Sequence, residues 1–327
     1  MEYYAGIDLG GTKIYTVVIN PDGQILGRTK IKIGEDRGFD VVFGKMMECY
    51  QMACTEAGIA DAQMTAIGLA VPSPVDLERG VIKHAPNLGW KEIEIRSVLQ
   101  QKLNKPLFVG NDVNMGVFDE YHLGAGKGFS RVYGLFIGTG IGGGYVVDGQ
   151  VVRGVNYTAG EAGHIIIKMG GPQCNCGLQG CLEAIAAKAG MIKYMIEQVD
   201  KKRKKTLLDQ IAPNWRQTVG SSALSKALKK NDKVVKKALK RSAKAIGVAA
   251  ANLITATGVE AIIIGGGVIE EMGDFFMPRI EKSMRANTFD NGSVGVELRQ
   301  AALGDDAVAL GTAWYVRMPE NQYLLYT

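Results

Sequence analysis

The sequence predicts a protein of the α/β class with two domains, and three observations lead to this expectation. The chain has 327 residues, more than one domain usually contains. Strand-like apolar runs alternate along it with segments of helical periodicity. Residues 6–25 (GIDLGGTKIYTVVINPDGQI) also align, across a two-residue gap, with residues 134–151 (GLFIGTGIGGGYVVDGQV). Both copies read as a strand, a Gly/Thr turn, a second strand and a DGQ turn before a third strand, so we expect two similarly built domains.

The remaining elements follow from the spacing of apolar residues. Apolar runs that end at polar clusters predict buried strands at residues 65–71 (TAIGLAV) and 106–109 (PLFV). Helical spacing predicts helices at 39–58, 181–198 and 226–244, and a helix followed by a buried strand at 245–269. The closing segment LGDDAVALGTAWYV predicts a last helix capped near Asp305.

Composition narrows the functional classes. The chain is 46% hydrophobic and 22% charged, as a globular protein is, and its net charge of +5 is far below that of a nucleic-acid-binding domain. Its start has no basic segment followed by an apolar run, so no secretion signal is predicted. The most apolar region is interrupted by polar residues and glycines, which argues against a membrane span. We therefore expect a cytoplasmic protein with small-molecule ligands, and neither nucleic acid nor membrane as a partner.

A first glycine turn, DLGGTK, is a candidate phosphate site. Gly10 and Gly11 would let backbone N–H groups approach a phosphate closely, while Thr12 and Lys13 add a hydroxyl and a positive charge. Asp8, at the end of the preceding strand, could hold Mg²⁺. A plain hairpin with a tight turn is the alternative, and the spacing is not that of a P-loop.

Two further glycine turns follow strand-like runs. The first, GTGIGGG, contains Gly138, Thr139 and Gly140, and the second, IIIGGGV, contains Gly265, Gly266 and Gly267. A turn without side chains leaves room for a ribose or a flat ring against the backbone. Any one of these turns is a weak signal, but three in one chain favour a nucleotide ligand.

Two polar motifs carry candidate catalytic side chains. In GNDVN, Asp112 follows a predicted strand and is flanked by Asn111 and Asn114, so its carboxylate could take a proton from a substrate hydroxyl. An Asx turn or a helix N-cap is the structural alternative. In GEAGH, Glu161 and His164 are three residues apart and would share one face only at the start of a helix.

The cysteine-rich segment CNCGLQGCLE predicts a metal site. Cys174, Cys176 and Cys181 lie too close in sequence for an easy disulfide, and a reducing cytosol also disfavours one. Three thiolates need a fourth ligand, and His164, ten residues upstream of Cys174, is the candidate. A Cys₃His set predicts a structural zinc ion, with free thiols as the alternative.

Taken in order, DLGGTK, GNDVN, GEAGH and CxCGxxGCxE resemble the motifs of the ROK family of sugar kinases, and the likeness extends over essentially the whole chain. The resemblance implies the two-domain actin/hexokinase-like (ribonuclease H-like) fold, with ATP and sugar in the interdomain cleft and a homodimer or higher homo-oligomer as the assembly. Its domains would be residues 1–118, completed by a C-terminal helix at about 304–327, and residues 119–303 with the zinc site.

The resemblance also implies roles for individual residues. It makes Asp112 the general base for the sugar hydroxyl and gives His164 both a zinc bond and a sugar contact. The implied sugar contacts are Asn87, Asn111, Glu161, His164 and Glu183. The residues implied around Mg²⁺-ATP are Asp8, Gly11, Thr12, Lys13, Gly138, Thr139, Gly265, Gly266 and Gly267.

We therefore predict an ATP-dependent hexose kinase acting on the 6-hydroxyl. The segment APNLGW resembles the glucokinase branch, which favours glucose. An N-acetylmannosamine or N-acetylglucosamine kinase is the alternative enzyme, and a sugar-binding regulator without catalysis is the alternative outside that class. The family's usual PGPVD reads PSPVD here, so Ser73 replaces a glycine and leaves the preferred hexose open. The phosphoryl donor is open as well, since glycine turns also accept polyphosphate.

Overall fold

The computed structural model describes residues 2–73, 75–85 and 88–324. Within those ranges no helix has both the length and the apolar character needed to cross a membrane. The chain divides into two compact units. Unit 1 contains the residues up to Gly124, Gly149–Ala159 and the residues from Asp305 on, and unit 2 contains Ala125–Asp148 and Gly160–Gly304.

The first eight strands of the chain all lie in unit 1 and are β1 (Tyr3–Leu9), β2 (Lys13–Ile19), β3 (Ile25–Lys32), β4 (Met64–Val71), β5 (Val75–Asp76), β6 (Val81–Ala85), β7 (Trp90–Ile93) and β8 (Leu107–Asn111). The strands that follow are β9 (Arg131–Ile137), β10 (Ile141–Val147), β11 (Gln150–Val151), β12 (Ala261–Gly265) and β13 (Glu297–Gln300). The helices are α1 (Phe39–Ala57), α2 (Ile95–Leu103), α3 (Asp112–His122), α4 (Leu182–Ala186), α5 (Lys188–Ile196), α6 (Leu208–Ile211), α7 (Ser221–Lys229), α8 (Lys233–Thr257), α9 (Gly267–Asn287) and α10 (Ala307–Arg317).

The main sheet of unit 1 has the strand order β3-β2-β1-β4-β8. β1 and β2 form an antiparallel hairpin, whereas β4 runs parallel to both β1 and β8. Asp8 lies opposite Ala70, and Val71 lies opposite Asn111. The carboxyl ends of β1, β4 and β8 therefore meet at one edge of the sheet, where ligands of α/β proteins usually bind.

Helix α10 lies directly on the strands of this sheet. A Cβ atom on Gly6 would come within 1.9 Å of the Ala309 carbonyl oxygen, and one on Gly68 would come within 2.4 Å of the Thr312 side chain. No side chain fits at either position, so these two glycines are required for the close approach of helix and strands.

The second main sheet, which contains β9, has the order β11-β10-β9-β12-β13. It repeats the pattern of the first sheet, with an antiparallel hairpin at β9 and β10 and with β12 parallel to β9 and β13. The predicted repeat is thus confirmed, and the two Gly/Thr turns occupy equivalent positions. The Ile262–Ile264 run is fully buried in the strand that the sequence predicts there.

Local signals explain where the long helices begin and end. Helix α1 ends at Gly58, whose φ of 68° is left-handed. Helix α8 begins at Asp232, whose side chain accepts hydrogen bonds from the N–H groups of Val234 and Val235, and it ends at Gly258 with φ of 62°. Helix α1 agrees with the sequence prediction. The prediction of one helix over residues 226–244 is wrong, because residues 230–232 separate α7 from α8, and α8 continues without a break to Thr257.

The prediction of one helix over residues 181–198 is wrong. Ala187 is extended, with φ −69° and ψ 165°, and separates α4 from α5. The break gives the first N–H groups of α5 external partners, because those of Lys188 and Ala189 donate to the carbonyl oxygens of Gly138 and Thr139 at 3.2 and 3.4 Å. Tertiary hydrogen bonds therefore outweigh helical periodicity here.

The predicted cap of the last helix is also different. Helix α10 begins at Ala307 without a side-chain cap. The carboxylate of Asp305 instead lies 3.0 Å from Lys13 Nζ and 2.9 Å from Lys30 Nζ. Two ammonium groups are stronger partners for a carboxylate than a backbone N–H group.

Candidate functional site

Asp112 stands at the carboxyl end of β8, as the first residue of α3. The capping role belongs to its neighbour, because the Asn111 side chain accepts from the Asn114 N–H at 3.0 Å. Asp112 Oδ1 accepts from its neighbours Val113 N at 2.8 Å and Asn111 Nδ2 at 3.1 Å. The carboxylate is therefore held in one orientation at the ligand-binding edge of the sheet. Such a group can act as a general base on a hydroxyl placed against it.

Ser73 lies beside this group and is 2% exposed. Its carbonyl oxygen accepts from Asn111 Nδ2 at 3.4 Å. Its φ is not positive, so the serine needs no backbone angle that favours glycine. The departure from the family's glycine thus adds a buried side chain next to Asn111 without left-handed backbone strain.

The Gly10–Lys13 turn joins β1 to β2 in a tight loop. Gly10 N donates to Lys13 O at 3.0 Å, and the Thr12 side chain is exposed. Burial raises the pKa of Asp8 to about 6, and the nearby Lys13 ammonium opposes that shift. Lys13 itself is paired with Asp305, which the sequence interpretation had treated only as a cap.

The other two glycine turns lie together at one end of the second sheet. Gly265 pairs with Phe136, so β9 and β12 end side by side. A Cβ atom on Gly266, whose φ is 85°, would lie 2.6 Å from the Ile137 carbonyl oxygen. The Gly138–Gly140 turn follows immediately after Ile137, so these two predicted nucleotide-binding turns lie at the same end of the sheet.

Glu161 precedes a short 3₁₀ turn over Ala162–His164, and His164 is the last residue of that turn. The N–H of His164 donates to the Glu161 carbonyl oxygen at 3.0 Å. Burial raises the pKa of Glu161, an effect that nearby His164 opposes and nearby Glu183 reinforces. The spacing of GEAGH therefore does produce one compact polar group.

His164, Cys174, Cys176 and Cys181 bring four ligand atoms within 4.8 Å of one another. Cys176 Sγ lies 3.7 Å from Cys181 Sγ, and Cys174 Sγ lies 3.8 Å from His164 Nδ1. Sulfur atoms at Zn–S distances of about 2.3 Å in a tetrahedron are about 3.8 Å apart, so the cluster fits a Cys₃His zinc site. The sulfur–sulfur separation is far longer than the roughly 2.05 Å of a disulfide.

The two buried thiols of the cluster, Cys174 and Cys181, also need a cation. Burial, and the hydrogen bonds that its S–H group can donate to the neighbouring sulfurs, raise the pKa of Cys181 to about 12. Burial also raises the pKa of Cys174, so the two buried sulfurs can become thiolates together only when a metal ion compensates their charge, whereas the pKa of the exposed Cys176 is lowered.

Glu183 follows Cys181 by two residues and faces the second glycine turn. Its Oε2 accepts from the N–H of Ile141 at 2.9 Å. Its Oε1 lies 3.9 Å from Cys174 Sγ. Neither contact was expected from the sequence, which carried no signal for a partner so distant along the chain.

A cavity of about 280 Å³, which was not predicted from the sequence, lies near the start of α9. Helices α7 and α9 form its walls, and its polar lining includes Ser225, Lys229, Glu270, Asp274 and Gln300. The GGG motif was the only available signal, because it marks where α9 begins. Asn87, the remaining predicted sugar contact, lies outside the described residues.

Two sheets of matching topology, each with a Gly/Thr turn, define the class as an actin/hexokinase-like α/β protein. The ROK family model matches residues 4–318, and the chain belongs to the ROK family. The family resemblance and the fold class expected from the sequence are therefore confirmed.

Among solved structures, a ROK hexokinase from Thermus thermophilus is 31% identical, with a TM-score of 0.79 over 95% of this chain and 96% of that one. A ROK family glucokinase from Streptomyces griseus, in complex with glucose and AMPPNP, is 26% identical, with a TM-score of 0.79 over 95% of this chain and 98% of that one. Both likenesses cover both units.

Among curated relatives, a glucokinase from Halalkalibacterium halodurans is 31% identical over 98% of this chain and 96% of its own length. A xylose repressor from Caldicellulosiruptor bescii is 28% identical over 94% of this chain and 76% of its own length. The relatives thus include both sugar kinases and sugar-linked repressors. The geometry of the candidate site is therefore needed to distinguish between those two activities.

Proposed function

We propose that this protein is an ATP-dependent hexokinase that phosphorylates the 6-hydroxyl of glucose. The observation that carries the proposal is the orientation of Asp112, whose carboxylate is held by Asn111 and Val113 at the end of β8. A repressor has no need of an oriented base. The similarity to glucokinases over nearly the full chain supports glucose as the sugar.

In the proposed reaction, Asp112 accepts the proton of the sugar hydroxyl. The hydroxyl oxygen then forms a bond to the γ-phosphorus as the bond to the β-phosphate oxygen breaks, which yields ADP and a sugar phosphate. Proton acceptance by a positioned carboxylate contributes roughly 10²- to 10⁴-fold to the rate. We assign sugar contacts to Asn87, Asn111, Glu161, His164 and Glu183.

The glycine turns would receive the phosphates of ATP through backbone N–H groups. Asp8, with Thr12 and Lys13 beside it, is the residue that would hold Mg²⁺, a cation that neutralises phosphate charge when bound. The cavity between α7 and α9 supplies carboxylates for hydroxyl and amino donors, which suits a nucleoside. We infer that the base and ribose of ATP occupy it.

We assign zinc to His164, Cys174, Cys176 and Cys181, in a structural site. Because Nδ1 of His164 faces Cys174, its Nε2 is left for a sugar hydroxyl. A metal bond at Nδ1 would fix the tautomer that presents Nε2–H as a donor.

A coupled ADP-release assay tests the proposal across glucose, mannose, fructose, N-acetylglucosamine and N-acetylmannosamine. We expect the highest kcat/KM with glucose. A preference for an N-acetylhexosamine would refute the substrate, and sugar binding without turnover would support the regulator. Measuring sugar phosphate formation with inorganic polyphosphate in place of ATP identifies the donor, since turnover with polyphosphate alone would contradict ATP.

A further inference from the structure

Glu183 connects the cysteine cluster to a glycine turn. The residue is the second of α4 and lies two positions after Cys181, which is fully buried in the cluster. Its Oε2 accepts from the N–H of Ile141, the first residue of β10, at 2.9 Å. The backbone of Glu183 is therefore held close to the cluster by the nearby Cys181. Its carboxylate is held by the strand that follows the turn.

Gly140 shows how closely the carboxylate approaches this turn. A Cβ atom at Gly140 would lie 2.3 Å from Glu183 Oε2, a distance that no real Cβ contact allows. The φ of Gly140 is not positive, so its backbone conformation alone does not require glycine. A side chain at this position would therefore force the Glu183 carboxylate to move away from the turn.

The same segment holds the turn a second time. The N–H groups of Lys188 and Ala189, at the start of α5, donate to the carbonyl oxygens of Gly138 and Thr139. These bonds hold the turn through its carbonyl oxygens, while Glu183 holds the N–H group of Ile141. The turn is thus fixed from both sides by the residues that follow the third cysteine.

We propose that Glu183 is a positioning residue for the nucleotide, through which the cysteine cluster sets the shape of the Gly138–Ile141 turn. This inference rests on the proposed function and extends it, because it gives the metal centre an effect on ATP as well as on sugar. A phosphate-binding turn works only when its N–H groups are oriented in advance. The Glu183–Ile141 hydrogen bond and the two carbonyl contacts supply that orientation.

Titration calorimetry with Mg²⁺-AMPPNP, in the absence of sugar, tests the proposal. Glu183→Ala is expected to raise the Kd about tenfold, equivalent to about 1.4 kcal/mol and comparable to one charge-assisted hydrogen bond. Glu183→Gln retains an oxygen acceptor for the Ile141 N–H and should stay within about twofold of wild type. Glu281→Ala, which removes an exposed glutamate paired with Arg285, is the matched control. An unchanged Kd in Glu183→Ala with its metal retained would overturn the inference.

A second variant keeps the test valid if Glu183→Ala fails to fold. Gly140→Ala should push the carboxylate away and weaken nucleotide binding without removing Glu183. If both changes act through the same contact, the double variant Gly140→Ala/Glu183→Ala should bind no more weakly than Glu183→Ala alone. Fully additive losses would show that Gly140 acts independently of Glu183, against the proposal.

Amide hydrogen exchange at Ile141 separates this inference from the proposed function. Exchange should accelerate about tenfold in Glu183→Ala, and also in wild type stripped of metal with a chelator, whether or not the protein is a kinase. In Glu183→Ala, metal removal should not increase the exchange rate of the Ile141 amide any further. Unchanged exchange in these samples overturns the positioning role, whereas absence of both AMPPNP binding and sugar phosphorylation in wild type overturns only the proposed function.

Discussion

Replacing Asp112 by asparagine removes a negative charge and conserves the shape of the side chain. Oδ1 of the new amide can still accept from Val113 N and Asn111 Nδ2, which lie 2.8 and 3.1 Å from the present carboxylate oxygen. The first turn of α3 loses one favourable charge, a cost of about 0.3–1 kcal/mol. The variant should therefore fold with the wild-type structure.

Its catalytic loss should be much larger than its loss of stability. Without a carboxylate, the sugar hydroxyl has no proton acceptor, and kcat should fall by about 10²- to 10⁴-fold. This corresponds to about 3–5 kcal/mol of transition-state stabilisation. The KM for glucose should change little, because a neutral amide can still hydrogen-bond a hydroxyl.

Steady-state ADP release at saturating ATP measures the effect, with urea unfolding to report stability. The matched control is Asp40→Asn, which removes an exposed carboxylate from the first turn of α1. The control should keep the wild-type kcat. A folded Asp112→Asn protein with kcat within about threefold of wild type would refute the assignment of the general base.

Three further outcomes are expected. Purified protein should contain equimolar zinc, and Cys176→Ser should lower both the zinc content and the Tm, as measured by elemental analysis and thermal melting. Because burial raises the pKa of Asp8 to about 6, protons should compete with Mg²⁺ below that pH, so the apparent Mg²⁺ affinity measured by titration should fall as pH decreases. Asp119 is fully buried, both its carboxylate oxygens lack a hydrogen-bond partner among the described residues, and burial holds its pKa well above the ordinary value. Its folded form therefore binds the proton more tightly than the unfolded chain does, so wild type should lose stability relative to Asp119→Asn as pH rises above about 4 in urea titrations.

Each of these outcomes has a result that would contradict it. A chelator that lowers the Tm of Cys176→Ser as much as that of wild type would argue against this residue as a ligand. Mg²⁺ affinity in Asp8→Asn should not vary with pH, so an unchanged pH dependence would remove Asp8 from the metal site. Parallel pH profiles of stability for wild type and Asp119→Asn would mean that Asp119 titrates normally.

The elements that the sequence predicted well are those whose signals are local. The β1–β2 and β9–β10 hairpins follow from a Gly/Thr turn between alternating strands, and α1 follows from helical spacing that ends at a glycine. The cysteine cluster was predictable for the same reason, since its three cysteines lie within eight residues of sequence. Only His164 had to be found by elimination among three histidines.

What the sequence could not predict depends on partners far along the chain. The break at Ala187 is stabilised by carbonyl groups of the Gly138–Gly140 turn, and Lys13 is paired with Asp305. Neither local propensity nor periodicity contains such information. Gly140 illustrates this limit. Its place in a glycine turn suggested room for a ligand, but its immediate neighbour is the carboxylate of Glu183.

The position of α10 has a consequence for how the chain is made. The sheet of unit 1 begins at residue 3, yet the helix that covers Gly6 and Gly68 comes from Ala307–Arg317. A ribosome therefore releases β1 and β4 long before their covering helix exists, and their apolar surface stays exposed throughout that interval. Truncation just before α10 would leave this apolar surface permanently exposed, so we expect the truncated protein to aggregate. A fusion made after residue 324 keeps α10 and should not aggregate.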